Sequence, residues 1–293
     1  MILPVLKIRN NPLYAGQTLL LVLLSMAVVL TIVLSILSRS VTDVAVTSSQ
    51  EDSQKAFSAA EAGIESSLFS GLASGGTFEN NAEYTTGVSD YGLGETEFVY
   101  PSSLISGEIG TIWFVGHDEN GNLSCTGGDC FAGTVMKVCW GTDPVVIPAI
   151  EVSIYYTSTP GDYATVKVAR GTADPDSARR TSNNFAAANV GSFSVAGEPF
   201  KYCKNYSFDD YNISVTGPNV LQFALVRMLY NTSNVEKFGV VMTGGTLPSQ
   251  GMRAESVGTA GEATRKVEVF RGYSEMSPIF QGAIFNLGGL TKN

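Results

Sequence analysis

The chain has 293 residues, of which 44% are hydrophobic and only 15% charged, and its formal net charge is −9. That is enough for one or two ordered domains with a substantial core, and the acidity argues against broad binding to nucleic acid or to anionic membrane surfaces. Lys7 and Arg9 are the only charged residues before Gly16, so the remainder alone carries −11. Arg179-Arg180 and Arg265-Lys266 are the only adjacent basic pairs, and both read as solvated faces.

From Thr18 to Leu37 no residue carries a formal charge, and most are Leu, Val or Ile. Twenty residues at ~1.5 Å each span about 30 Å, the thickness of a bilayer hydrocarbon core. A secretory signal has a shorter apolar stretch, with its small-residue cleavage site after it. Here Ala15-Gly16 precede the run and Arg39 follows it, which is the pattern of a retained anchor. Lys7 and Arg9 on one side, with Asp43, Glu51 and Asp52 on the other, predict a single-pass protein with a cytoplasmic N-terminus and an extracytoplasmic C-terminal domain.

No proline occurs between Gln17 and Tyr100, and the first glycine after Gly16 is Gly63. A continuous helix from about Thr18 to Leu68 is therefore predicted, apolar all round at first and amphipathic later; an anchor followed by a separate surface helix is the alternative. Phe57, Ala60, Ile64 and Leu68 recur at helical spacing and predict the docking stripe.

Three features of this segment resemble type IV pilin-like proteins. Gly16-Gln17, directly before the apolar run, resembles a prepilin peptidase site. The long helix resembles the pilin spine. The stretch QKAFSAAEAGIE, containing Phe57, Ala59, Ala60, Glu61, Ala62 and Gly63, resembles the corresponding helix of PilX-type minor pilins. The resemblance implies a removed leader over residues 1–16, Gln17 as a methylated mature N-terminus, a transmembrane half over 17–38 and an amphipathic half over 39–69. Many pilins carry glutamate at the fifth mature position, where it pairs with a neighbouring subunit's amine; this chain has Leu21 there. A subunit without that carboxylate suits the first position of a filament, as in minor pilins that prime assembly or sit at the tip. The partners implied are other pilin or pseudopilin subunits, the prepilin peptidase, the inner-membrane assembly machinery, the lipid bilayer and a surface ligand, with the assembled filament at the cell surface. Residues 258–269, GTAGEATRKVEV, are similar to PilX-like C-terminal strands.

Beyond a Ser/Gly/Asn-rich linker over residues 69–81, short apolar runs alternate with turn signals such as ENGN, TPGD, GTADPD and TGGT. Candidate strands are 95–100, 111–116, 133–140, 149–157, 163–170, 237–244 and 263–271, with Val166/Val168 and Val267/Val269 alternating at period two. Residues 219–230 suit a strand or a helix, and 189–215 suit a decorated loop with short strands. The predicted class is α+β: a long N-terminal helix packed on an antiparallel, sandwich-like β head over residues 70–293.

The four cysteines, Cys125, Cys130, Cys139 and Cys203, favour two disulfides, Cys125–Cys130 and Cys139–Cys203, over zinc or free thiols. The single histidine, His117, reads as an exposed or hydrogen-bonded residue entering a turn. No nucleotide-binding, metalloprotease or serine-hydrolase motif occurs, so there is no positive case for an enzyme or a cofactor. DENGN from Asp118 spaces oxygen ligands as a calcium loop would, but Gly121 stands fourth rather than sixth, and a hairpin turn explains it more simply. Asn122, Asn205, Asn212 and Asn231 begin N-x-S sequons. Tyr202, Tyr206, Phe208 and Tyr211 concentrate aromatic side chains either for core packing or for a binding face. A membrane-tethered adhesion domain that does not polymerise is the alternative function.

Overall fold

The computed structural model describes residues 15–126, 130–143 and 145–275. The leader residues before Ala15 lie outside the described residues. Helix α1 runs unbroken over Ala15–Ser70, 56 residues, or about 84 Å; the anchor and the amphipathic segment are one helix. The hydroxyls within it bond back along the chain, Ser25 Oγ to Val22 O at 2.9 Å and Thr31 Oγ1 to Val28 O at 2.8 Å. These two hydroxyl hydrogens then do not depend on water. Gly71 ends the helix at φ +71°, its N–H donating to Ser67 O at 2.8 Å, as a left-handed glycine cap does.

Sixteen strands and a short second helix follow within the described residues. They are β1 Gly75–Thr77, β2 Glu83–Asp90, β3 Glu97–Val99, β4 Ile109–Trp113, β5 Gly116–His117, β6 Leu123–Ser124, β7 Val135–Trp140 and β8 Ala149–Thr157. Then come β9 Val166–Asp174, α2 Ser177–Asn183, β10 Ala186–Ala187, β11 Asn189–Val195, β12 Glu198–Ser207, β13 Leu221–Leu229, β14 Phe238–Thr243, β15 Gly251–Ala260 and β16 Ala263–Gly272. The pairs β1–β2, β3–β14, β4–β13, β5–β6, β7–β12, β7–β14, β8–β9, β8–β13 and β11–β12 are antiparallel, and the two-residue β10–β9 ladder is parallel. The fold is thus α+β, with a long N-terminal helix packed on antiparallel β structure.

Two compact units can be distinguished: residues 15–65, 74–86 and 256–267 form one, and 66–73, 87–255 and 268–275 the other. In the first, the second half of α1 packs on parts of β2, β15 and β16, which lie in the sheet order β1-β2-β15-β16. In the second, sheets ordered β10-β9-β8-β13-β4 and β11-β12-β7-β14-β3 form a sandwich around one core. Ile150, Val152 and Ile154 of β8 and Ala224, Val226 and Met228 of β13 enter it from one side. Met136, Val138 and Trp140 of β7 and Phe238, Val240 and Met242 of β14 enter from the other. The antiparallel ladders to β8 and β4 resolve residues 221–229 as a strand, with Ala224, Val226 and Met228 entering this core as alternate residues.

Cys139 and Cys203 stand directly opposite one another on β7 and β12 and are disulfide-bonded. Together with Val195 and Phe200 they make a small second core on the outer side of that sheet. Cys125–Cys130 closes the short loop after β6.

Several expectations are corrected. Residues 189–207 form the long β11–β12 hairpin, with a bulge between Val190 and Phe193, rather than short strands within a decorated loop; 208–215 hold no strand. Residues 75–77 of the expected linker pair with β2, and Gly171–Asp174 of the expected turn belong to β9. Val166 and Val168 alternate as read, yet both are exposed, because they lie on the outer face of their sheet. Arg179-Arg180 is not a solvated face. Arg179 makes a two-pronged ion pair with the fully buried Asp174, at 2.7 and 3.0 Å, and lies 4.5 Å over the Tyr230 ring. Burial works to raise the Asp174 carboxyl, but hydrogen bonds from Arg179, the Asp176 N–H and Asn183 outweigh it and hold the group below its ordinary range.

Candidate functional site

Two surfaces of the chain stand out. The first is α1 itself. Its apolar half, Leu19 to Leu37, is exposed on every side, and it is the one described helix long and apolar enough to cross a membrane. Leu21 lies on that surface, so the helix surface bears no carboxylate there. Gly16 and Gln17 fall in its first turn.

The second half of α1 docks through small residues. Ala56, Ala59, Ala60, Gly63 and Ile64 are buried, and Ala56 and Ala59 form a cluster with Ala82 and Ala260, flanked by Tyr84 and Ala263. The helix and β15 approach backbone to backbone. A Cβ at Gly258 would overlap Ala56 O and stand 2.6 Å from Ala60 N; one at Gly63 would meet Ser256 Oγ and the Tyr84 ring at 2.7 Å. Arg265 ties the arrangement down with two hydrogen bonds to Ser53 Oγ, at 2.9 and 2.6 Å. The docking stripe keeps Ala60 and Ile64 of the expected series, adds Ala56, Ala59 and Gly63, and leaves Leu68 half-buried at its end. Phe57 is 46% exposed and lies off the packed face, as does Glu61, while Ala62 is half-buried. Periodicity weighted by hydrophobicity favours phenylalanine; close backbone contact requires alanine and glycine.

The second surface is a cleft of about 860 Å³ built within the sandwich unit. Phe223 on β13 stands opposite both Trp113 on β4 and Tyr155 on β8. The alternate residues of these strands fill the core, so this row lies on the outer face. Tyr155 stacks on Phe223 at 4.5 Å and Phe223 meets Trp113 at 5.2 Å. His117 presents its edge to Trp113 at 4.6 Å and stacks on Tyr273 at 3.6 Å. The remaining wall is polar, with Asp90, Glu119, Asn120 and Arg271 among its members. Burial pushes the His117 imidazole below its ordinary value, against a smaller opposing pull from Asp118, and its Nδ1 has no hydrogen-bond partner.

The other candidates resolve as structure. Asp118 Oδ1 accepts from the N–H groups of Asn120 and Asn122, at 2.9 and 2.8 Å, and Oδ2 from Asn122 Nδ2. Its carboxylate is thus spent on closing the β5–β6 hairpin, with Gly121 at φ +79°. Among the described residues no group of three or more His, Cys, Asp or Glu side chains is placed to hold a metal ion. Tyr202, Tyr206 and Phe208 are buried in the sandwich core with Tyr211 against them, so they are not a binding face. Asn231 is fully buried, its Nδ2 donating to Leu104 O and Asn234 O; that sequon is closed in the folded chain. The cleft was missed in the sequence because its rings come from four separate segments. The usable signal was period-two placement of Trp113, Tyr155 and Phe223 on the polar side of otherwise apolar strands. No protein-family model matches the chain, and neither a curated protein nor a solved structure shows significant similarity to it.

Proposed function

We propose that the chain is a minor type IV pilin-like subunit, acting in the priming, assembly or tip of a pilus or secretion filament. The observation that carries this reading is the unbroken α1 with two unlike halves. Its first half displays about 30 Å of apolar surface that nothing among the described residues covers, and its second half is fastened to β structure by small residues. Lipid would cover the first half before assembly, and neighbouring subunits' helices afterwards. In this reading prepilin peptidase cuts between Gly16 and Gln17, the Gln17 amine is methylated, and the inner-membrane machinery lifts the subunit into the filament. Leu21 supports a place at the start of the filament, because no carboxylate is available there for a partner amine, and an unpaired one in hydrocarbon would be costly.

The mature N-terminus tests this. In cells with active prepilin peptidase, mass spectrometry is expected to find chains beginning at methylated Gln17 and present in small amounts in purified filaments. Chains that begin at Met1 and never enter filaments would overturn it. The cleft favours a second reading, a tethered adhesion domain that does not polymerise; there Gly16→Ala would leave surface function intact, whereas in a pilin it would block maturation.

A further inference from the structure

We propose that the Trp113–Phe223–Tyr273 cleft binds neutral oligosaccharide. Three features of the wall select the ligand class. First, the lining holds Asp90, Asp118 and Glu119 but a single guanidinium, Arg271, so its formal charge is −2. That repels phosphate, sulfate and acidic sugars. Second, the lining combines rings (Phe223, Tyr273, His117 and the buried edge of Trp113) with hydrogen-bonding groups (Ser89, Asp90, Glu119, Asn120, Arg271 and Ser274). A pyranose matches this combination, since its C–H face packs on rings and its hydroxyls both donate and accept. Carboxylates such as Glu119 accept from hydroxyls; the Arg271 guanidinium and the Ser89 and Ser274 hydroxyls donate to them. Third, a cleft of about 860 Å³ is several times larger than a lone ammonium or amine requires and is sized for a ligand of several rings. An organic cation, the other class that rings and carboxylates attract, would leave most of it filled with water.

The wall is also built to hold its shape. Trp113 is fixed on both sides of its strand position: its N–H donates to Gln250 Oε1 at 2.8 Å, and its carbonyl accepts from Gln250 Nε2 at 2.9 Å. Asp90 accepts from Ser249 Oγ at 3.0 Å, and Arg271 Nη1 donates to Leu68 O at 2.8 Å. A preorganised wall loses little freedom on binding. The inference does not depend on whether α1 enters a filament.

The test is titration of the full chain in detergent with neutral hexasaccharides of glucose, galactose, mannose and N-acetylglucosamine, and separately with spermidine. Heat of binding and tryptophan emission are followed together; Trp140 lies in the core, so a change in emission reports Trp113. At least one neutral series is expected to bind between about 1 μM and 1 mM. Tyr273→Ala and Glu119→Gln should each weaken it about tenfold, without altering the circular dichroism spectrum. Glu119 sits on an exposed hairpin tip, so that variant keeps the test valid if Tyr273→Ala perturbs folding. No binding of any hexasaccharide up to about 10 mM would overturn the proposal. So would spermidine binding more tightly than every sugar, or wild-type affinity in both variants.

Discussion

Replacing Gly258 by alanine puts the helix–sheet contact to a direct test. The added Cβ would overlap a backbone oxygen, that of Ala56, and crowd the Ala60 N. Neither atom is the end of a flexible side chain, so relief requires the helix to move away from β15. Overpacking of this kind costs about 1–3 kcal/mol. Moving the helix instead surrenders the burial of the Ala56, Ala59 and Ala60 methyls, about 0.8 kcal/mol each. The first route costs about 1–3 kcal/mol and the second about 2.4 kcal/mol, so the expected loss is about 1–3 kcal/mol. Two companion variants calibrate it. At Gly63 the obstructing atoms are side chains of Ser256, Tyr84 and Thr86, which can shift, and alanine gains about 1 kcal/mol of helix propensity; the net change should be near zero to 1 kcal/mol of destabilisation. At Gly87 on β2 nothing lies within 4 Å of the new Cβ, so alanine should stabilise by about 0.4–1 kcal/mol through the unfolded chain. Hydrogen exchange across residues 53–64 in the detergent-solubilised chain reads undocking directly, and urea midpoints read its global cost. Equal protection in the Gly258 and Gly87 variants would refute the backbone-contact reasoning.

The disulfides should differ in worth. A loop closed over a sequence separation of 64 loses about 4 kcal/mol of chain entropy, and one over 5 about 2 kcal/mol, so urea unfolding of Cys139→Ala/Cys203→Ala should fall further than that of Cys125→Ala/Cys130→Ala. Asp174→Ala strands the partly wetted Arg179 and removes acceptors for the Asp176 N–H and Asn183; thermal unfolding should show a loss of about 3 kcal/mol. The Asp174 carboxyl titrates below its ordinary 3.8 in the folded chain. Its contribution is therefore complete above that value and lost as pH falls through the folded pKa, and wild type and Asp174→Asn should converge in stability in acid but not at neutral pH. Phe57→Ala, on a surface away from the docked face, should change stability by less than about 0.5 kcal/mol; a core-sized loss would return Phe57 to the stripe.

The elements legible in the sequence are those whose burial is paid in large apolar side chains. Helix α1 is readable because nothing between Gln17 and Gly63 breaks it, and β7, β8 and β14 because their inward positions carry Met, Val, Trp, Ile or Phe; β13, a continuous apolar run, suits strand and helix equally until its ladder with β8 is seen. The β11–β12 hairpin was hidden for a different reason. Its residues serve two cores, Phe200 and Cys203 on one side and Tyr202 and Tyr206 on the other, so no single period emerges. Strand β15 was missed because its buried positions in the helix unit are Ser256, Gly258 and Ala260, which carry almost no hydropathy signal.

The same property makes the helix contact and the cleft complementary lessons. Where two backbones must touch, the sequence answers with the smallest residues, so the strongest structural constraint in the amphipathic half of α1 coincides with its weakest hydrophobic signal. Phe57 dominates the periodicity and yet lies off the interface. The cleft inverts the case: Trp113, Tyr155 and Phe223 carry strong signals but stand on the outer side of strands whose inner side already accounts for the core. Large rings on a face that core packing does not need are a surplus, and they acquire meaning only when the register aligns them in one row beside His117 and Tyr273. If the sugar titration locates a ligand there while Gln17 proves to be the mature N-terminus, assembly and recognition occupy separate parts of the chain. Substitutions on α1 should then abolish incorporation without touching affinity, and Glu119→Gln should do the reverse.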